Sequence, residues 1–94
     1  MAIETHLARF NPGTIVMTQG AMDALTQDDV FDALVRHLAG DWGNLDDVDR
    51  RQNDLAITHG GRILSTHQSR SYVKFWVITE ADRSATTFLL PAEY

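Results

Sequence analysis

Apolar positions in this chain change their spacing twice, and the changes mark out its elements. Thr14-Ile15-Val16-Met17-Thr18 is β-branched and apolar, which predicts a short strand between the turn signal Asn11-Pro12-Gly13 and the break at Gln19-Gly20. Ala21 to Leu25 has room for one helical turn. Val30, Phe31, Leu34, Val35 and Leu38 then recur at helical spacing and form one stripe. Thr26 is placed to cap that helix with Asp29 three residues on, and Leu25 and Val30 flank the cap. Asp28 and Asp29 lie at the positive end of the helix dipole, Arg36 and His37 at the negative end, and Gly40 is the stop. The expected helix is Gln27–Ala39.

A second helix is expected after Asp41-Trp42-Gly43-Asn44, with Asn44 as cap and His59-Gly60-Gly61 as terminator. Its stripe of Leu45, Val48, Leu55 and Ala56 is thin. Asp46 with Arg50, and Asp47 with Arg51, stand at the i,i+4 spacing that supports a helix. From Arg62 the period falls to two. Ile63–His67, Tyr72–Thr79 and Ala85–Leu90 read as strands joined by the turns Ser69–Ser71 and Glu80–Ser84, with Pro91 ending the last. Three strands with short connections predict an antiparallel meander with the helices on one face. The fold class is therefore α+β: two main helices packed on an antiparallel three- to four-stranded sheet with a C-terminal β-meander. In the middle strand Tyr72, Trp76 and Ile78 oppose Val73, Phe75 and Val77. A sheet apolar on both faces needs a cover, either residues 1–25 or a second subunit.

Length and composition narrow the classes. Ninety-four residues fit one domain, 1–94. The absence of cysteine excludes a disulfide framework, a thiolate zinc site and a cysteine nucleophile. No apolar run approaches the ~20 residues of a membrane span, and Met1–Phe10 lacks the apolar core of a signal peptide, so a cytoplasmic protein is expected. The net charge of −5 is uneven: residues 23–54 carry nine Asp against three Arg, and the remainder sums to +1. This balance argues against direct binding to a nucleic-acid backbone.

Chemical motifs are few. His6, His37, His59 and His67 have no compact metal-site spacing, and no phosphate loop, nucleophile elbow or calcium loop occurs. No cofactor, metal or catalytic residue is expected. In His37–Gly43, Trp42 either packs beneath the helices with Asp41 on local backbone, or both are displayed to a partner. In Thr79–Ser84, Glu80, Asp82 and Arg83 either satisfy one another or bind a ligand. Asp23, Asp41, Asp49 and Asp54 have no evident capping or helical partner.

Three stretches carry a resemblance: Gly40-Asp41-Trp42-Gly43, Gly60-Gly61-Arg62-Ile63-Leu64-Ser65, and Trp76 through Pro91 with its string Asp82-Arg83-Ser84 and Thr86-Thr87. From Gly40 onward the chain resembles a family of small bacterial proteins carried on plasmids and other mobile elements, labelled plasmid-related proteins. The family offers no activity to carry over. The resemblance implies a mobile-element setting, where small acidic proteins such as anti-CRISPR and antirestriction proteins counter host defence.

The reading is a non-enzymatic, acidic protein-binding module that inhibits a basic nucleic-acid-binding partner by mimicry. Its expected partner-binding residues are Asp23, Asp41, Trp42, Asp49, Asp54, Glu80, Asp82 and Arg83. It would act as monomer or homodimer, without membrane. The alternatives are a small enzyme or toxin-like protein, and a dimerising module.

Overall fold

A computed structural model describes residues 8–94. The expectations for Glu4 and His6, and most of the N-terminal signal-peptide argument, lie outside the described residues. The order is β1 (Thr14–Met17), α1 (Gln19–Ala24), α2 (Gln27–Leu38), α3 (Asp47–His59), β2 (Ile63–Gln68), β3 (Lys74–Thr79) and β4 (Ala85–Leu89), then a 3₁₀ turn, Pro91–Glu93. The sheet order β1-β4-β3-β2 makes an α+β fold with the C-terminal meander. The fourth strand adds a parallel pairing: β1 runs beside β4 with Met17 opposite Phe88. The two strands are joined through the rest of the domain, so no hairpin forces them antiparallel. No helix among the described residues is long and apolar enough to cross a membrane.

Helix α2 follows its signals. Thr26 Oγ1 accepts from the Asp29 N–H at 3.1 Å, and Asp29 Oδ2 accepts from the Thr26 N–H at 3.0 Å, a reciprocal capping box. Ala33 joins Ala21, Phe75, Val77 and Phe88 in one core cluster, with Val30 and Leu34 packed against it.

Helix α3 departs from its expected pattern in three ways. Its cap is Asp46, whose side chain accepts from the Asp49 N–H at 2.8 Å. Asn44 is instead tied to β2, donating its backbone N–H to the Thr66 carbonyl, so the helix starts later. The expected apolar stripe faces the core only in part, since Ala56 and Leu45 are packed but Val48 is 69% and Leu55 48% exposed. Only Ala56 and Ile57 of the helix join the second cluster, with Trp42, Ile63, Phe10 and Leu45. The Arg50 guanidinium turns back to the carbonyls of Leu45 (2.8 Å) and Gly43 (2.6 Å) rather than to Asp46.

Polar groups make up the difference. The Asn53 amide donates to the Leu64 carbonyl at 2.6 Å and accepts from the Leu64 N–H at 3.1 Å. Beside it, Thr66 donates to the Trp42 carbonyl and accepts from Asn44. The loop runs so close that a methyl group on Gly43, at φ +70°, would overlap the Thr66 carbonyl.

The other sheet face is partly covered by the chain itself. Tyr94 packs edge-on to Trp76 at 5.3 Å, and its hydroxyl accepts from Arg62 at 2.8 Å. Ile78 and Leu89 on that face are buried.

Candidate functional site

Between the two apolar clusters lies a polar seam. His37, Ser65, Thr79 and Thr86 are fully buried, and His67 is 6% exposed. Residues 65 and 67 share the inward face of β2 by strand alternation, and His37 enters from the last turn of α2. Their atoms form one chain: His67 Nε2 to Ser65 Oγ (2.8 Å), Ser65 Oγ to His37 Nδ1 (2.6 Å), and His37 Nε2 to Thr79 Oγ1 (2.9 Å). It continues from Thr79 Oγ1 to Thr86 Oγ1 (2.6 Å) and ends at the Pro12 carbonyl (2.7 Å).

The terminal carbonyl sets the direction of every bond. A carbonyl only accepts, so the single Thr86 hydroxyl proton goes to Pro12, and Thr79 must donate to Thr86. Thr79 has then used its proton, so it accepts from His37 Nε2–H. Burial pushes the His37 pKa down to about 3, with His67 adding to the effect, so His37 is neutral. Its Nδ1 therefore accepts from Ser65, and Ser65 in turn accepts from His67 Nε2–H. Burial and the nearby Arg36 charge push the His67 pKa down to about 4 against the opposing Asp41 carboxylate. Neutral His67 thus has a bare lone pair on Nδ1, and that nitrogen is buried with no hydrogen-bond partner among the described residues.

The Ser65–His37 pair has the spacing of a serine–histidine dyad but not its access. Both side chains are fully buried, so no substrate reaches Ser65 Oγ in this structure, although its bond to His37 is the one a nucleophile makes to its base. Three small cavities meet at His67 and Gln68. One is lined by Asn44, Lys74, Phe75 and Trp76, one by Arg36, Gly43 and Asn44, and one by Asp29, Asp32 and Arg70. No group of three metal-ligating side chains converges among the described residues.

The acidic residues expected to bind a partner are mostly engaged within the chain. Asp41 accepts from Arg36 Nε at 2.8 Å and from the Gly43 N–H at 3.2 Å, and these bonds hold its carboxyl below the ordinary range. Asp54 accepts from the Trp42 indole at 3.1 Å and lies 3.7 Å from Arg9. Trp42 itself is 2% exposed, so the alternative of a displayed indole gives way to the packed one. Asp23 accepts from Gln19 on its own helix at 2.9 Å, and Asp49 is exposed in the first turn of α3. Asp32, spaced to pair with Arg36, instead meets Arg70 at 3.3 Å, because Arg36 is taken by Asp41.

The charged groups of the Glu80–Ser84 turn are likewise engaged within the chain. Glu80 pairs with Arg62 at 3.5 Å, and Asp82 accepts from the Ser84 N–H at 2.9 Å; the Ser84 hydroxyl and then this N–H lower its pKa. Arg83, at φ 62°, donates to the carbonyls of Gly61 (2.6 Å), Ala56 (2.8 Å), Glu80 and Ala81 (both 3.1 Å). It therefore caps the end of α3. The structure brings Asp41, Trp42 and Asp54 into one neighbourhood and Glu80, Asp82 and Arg83 into another, with Asp23 on a separate helix.

A second surface feature was not anticipated. Met17, Met22, Leu25, Val30, Phe31 and Leu34 line an open apolar groove of about 520 Å³ beside α1 and α2. No protein-family model, curated protein or solved structure matches the chain.

Proposed function

We propose that the chain is a non-enzymatic protein-binding module, and that its partner docks in the α1–α2 groove. The observation that carries this is the groove itself. Six apolar side chains line it, and Met22 is 60% exposed on its rim. Contiguous apolar surface of this kind is characteristic of interaction sites. Asp23 stands next in sequence to the lining residue Met22 and has no basic partner among the described residues, so an apolar segment flanked by Lys or Arg is the complementary partner. The likeness to plasmid-borne proteins gives this reading a setting, inhibition of a host defence protein.

A second reading keeps nucleic-acid mimicry and rests on Asp46, Asp47 and Asp49. These acids crowd one turn of α3, and Arg50 is turned away from them. Crosslinked pull-downs from a bacterial host, run at low and high salt, separate the two. Groove docking predicts a partner lost on Met22→Asp and largely retained at high salt. Mimicry predicts a partner lost at high salt and on Asp47→Lys with Asp49→Lys, but indifferent to Met22→Asp.

A further inference from the structure

Strand β1 leaves one side of its backbone open. Thr14 and Thr18 donate to the carbonyls of Ser84 and Phe88, so by alternation Thr14, Val16 and Thr18 turn their backbone groups to β4. The N–H and C=O groups of Ile15 and Met17 point outward and have no partner among the described residues. Thr14, Ile15 and Val16 are exposed, Ile15 at 40% and Val16 at 41%. Helix α1 turns from the end of β1 over β4, where Ala21 joins Phe88 in the core, so it does not screen this edge. The register on β4 is unbroken, and β1 holds no charge, proline or bulge of the kind that deters pairing. Across the sheet, the outward groups of Leu64 and Thr66 are bonded within the chain.

We propose that β1 pairs antiparallel with β1 of a second copy, about a two-fold axis at Val16, to form a weak, reversible homodimer. In that register Ile15 of each copy lies opposite Met17 of the other, and each pair exchanges two hydrogen bonds. Every outward group of both strands is then satisfied. The neighbouring registers fail. Centring on Ile15 brings in Gly13, which sits at φ +66° and donates its N–H to Asn11 Oδ1 at 2.9 Å. Centring on Met17 brings in Gln19, which already belongs to α1. The side chains match as well. Met17, and with it Ile15, lies on the face that carries the helices, so Ile15 packs on Met17 of the second copy. Val16 meets its own counterpart on the opposite face, a β-branched cross-strand pair. This match of the strand to itself, in hydrogen bonds and in side chains, selects a second copy as the occupant. Four paired residues bury less than the ~800 Å² per partner of a stable dimer, so the association is weak. Self-pairing requires no occupant in the α1–α2 groove, although Met17 borders both.

Sedimentation of the full chain over a range of concentrations should show a monomer–dimer equilibrium that persists at high salt, since no charge lies at the junction. Amide exchange should slow at Ile15 and Met17 as concentration rises, with Thr14 and Val16, bonded to β4, unchanged. Ile15→Pro removes one outward N–H and none of the β1–β4 ladder, a position where an edge strand accepts proline. It should abolish the dimer and keep the circular dichroism of the fold. Val16→Lys sets two like charges face to face and should weaken the dimer roughly fivefold, whereas Val48→Lys on α3 should leave it unchanged. A monomer at every concentration up to about 1 mM would overturn the proposal and leave β1 to an extended segment of another protein. A dimer dispersed by salt, or one that survives both β1 substitutions, would overturn it too.

Discussion

Helices α2 and α3 flank the same sheet but are held to it by different physics. Helix α2 is amphipathic, and its Ala33, Val30 and Leu34 sit on a cluster of aromatic and aliphatic side chains. Such contact is non-directional and tolerates small shifts. Helix α3 leaves Val48 and Leu55 in solvent and is fastened by directional bonds: the Asn53 amide on Leu64, the Asp54 carboxylate on the Trp42 indole, and Arg83 on the Ala56 carbonyl. Periodicity therefore identifies the first kind of attachment and misses the second. A helix with a thin stripe still docks firmly when a buried amide finds a strand edge.

The sharpest way to probe the difference is acid, which acts through the histidine that α2 buries. His37 and His67 have folded pKa values of about 3 and about 4, below the ordinary 6.5. The unfolded chain therefore binds protons first as pH falls. Stability is complete above about pH 6.5 and declines toward the folded values, by about 2 kcal/mol per histidine at pH 5. Below about pH 4 the loss of ionised Asp29 and Asp41, whose pKa values are lowered by hydrogen bonds, adds to the decline. Urea midpoints at pH 7 and pH 5 check this, and equal midpoints would mean that the seam does not hold its histidines neutral.

The next largest effect belongs to α3. Asn53→Leu keeps the branching and number of side-chain heavy atoms but strands the Leu64 N–H and carbonyl, at a cost of about 3 kcal/mol. Val48→Ala on the same helix should change stability by no more than about 0.5 kcal/mol. If the two substitutions cost the same, α3 is held by apolar contact after all and the contrast with α2 fails.

The smallest effects compare two arginines by what they bind. Arg83→Ala removes four bonds to backbone carbonyls and should cost about 2 kcal/mol. Arg70→Ala removes two exposed ion pairs, to Asp28 and Asp32, and should cost less than about 0.5 kcal/mol. Thermal unfolding of both variants resolves the difference, and equal losses would show that surface charge stabilises this fold more than its geometry suggests.

What could be read from the chain follows the same division. The α2 capping box, the helix stop near Gly40 and the meander were legible because each depends on residues a few positions apart. The roles of Asn53, Arg50 and Arg83 were not, since each bonds a carbonyl whose position is fixed by tertiary structure. The i,i+4 spacing of Asp32 and Arg36 is likewise no guide to their pairing, because it is blind to Asp41 across the helix end. The histidine relay left one local trace: Ser65 and His67 follow Ile63 as polar residues at successive inward positions of β2. Its partners His37 and Thr86 lie too far along the chain for any spacing to connect them.

The bonds that fasten α3 and the Trp42 loop to β2 have a further consequence. An outermost strand normally offers a row of open amides and carbonyls on which another chain can polymerise. Here the outward groups of Leu64 are taken by Asn53 and those of Thr66 by Trp42 and Asn44. The same few groups that position a poorly amphipathic helix also deny β2 as a template, protecting this side of the sheet against edge-to-edge aggregation.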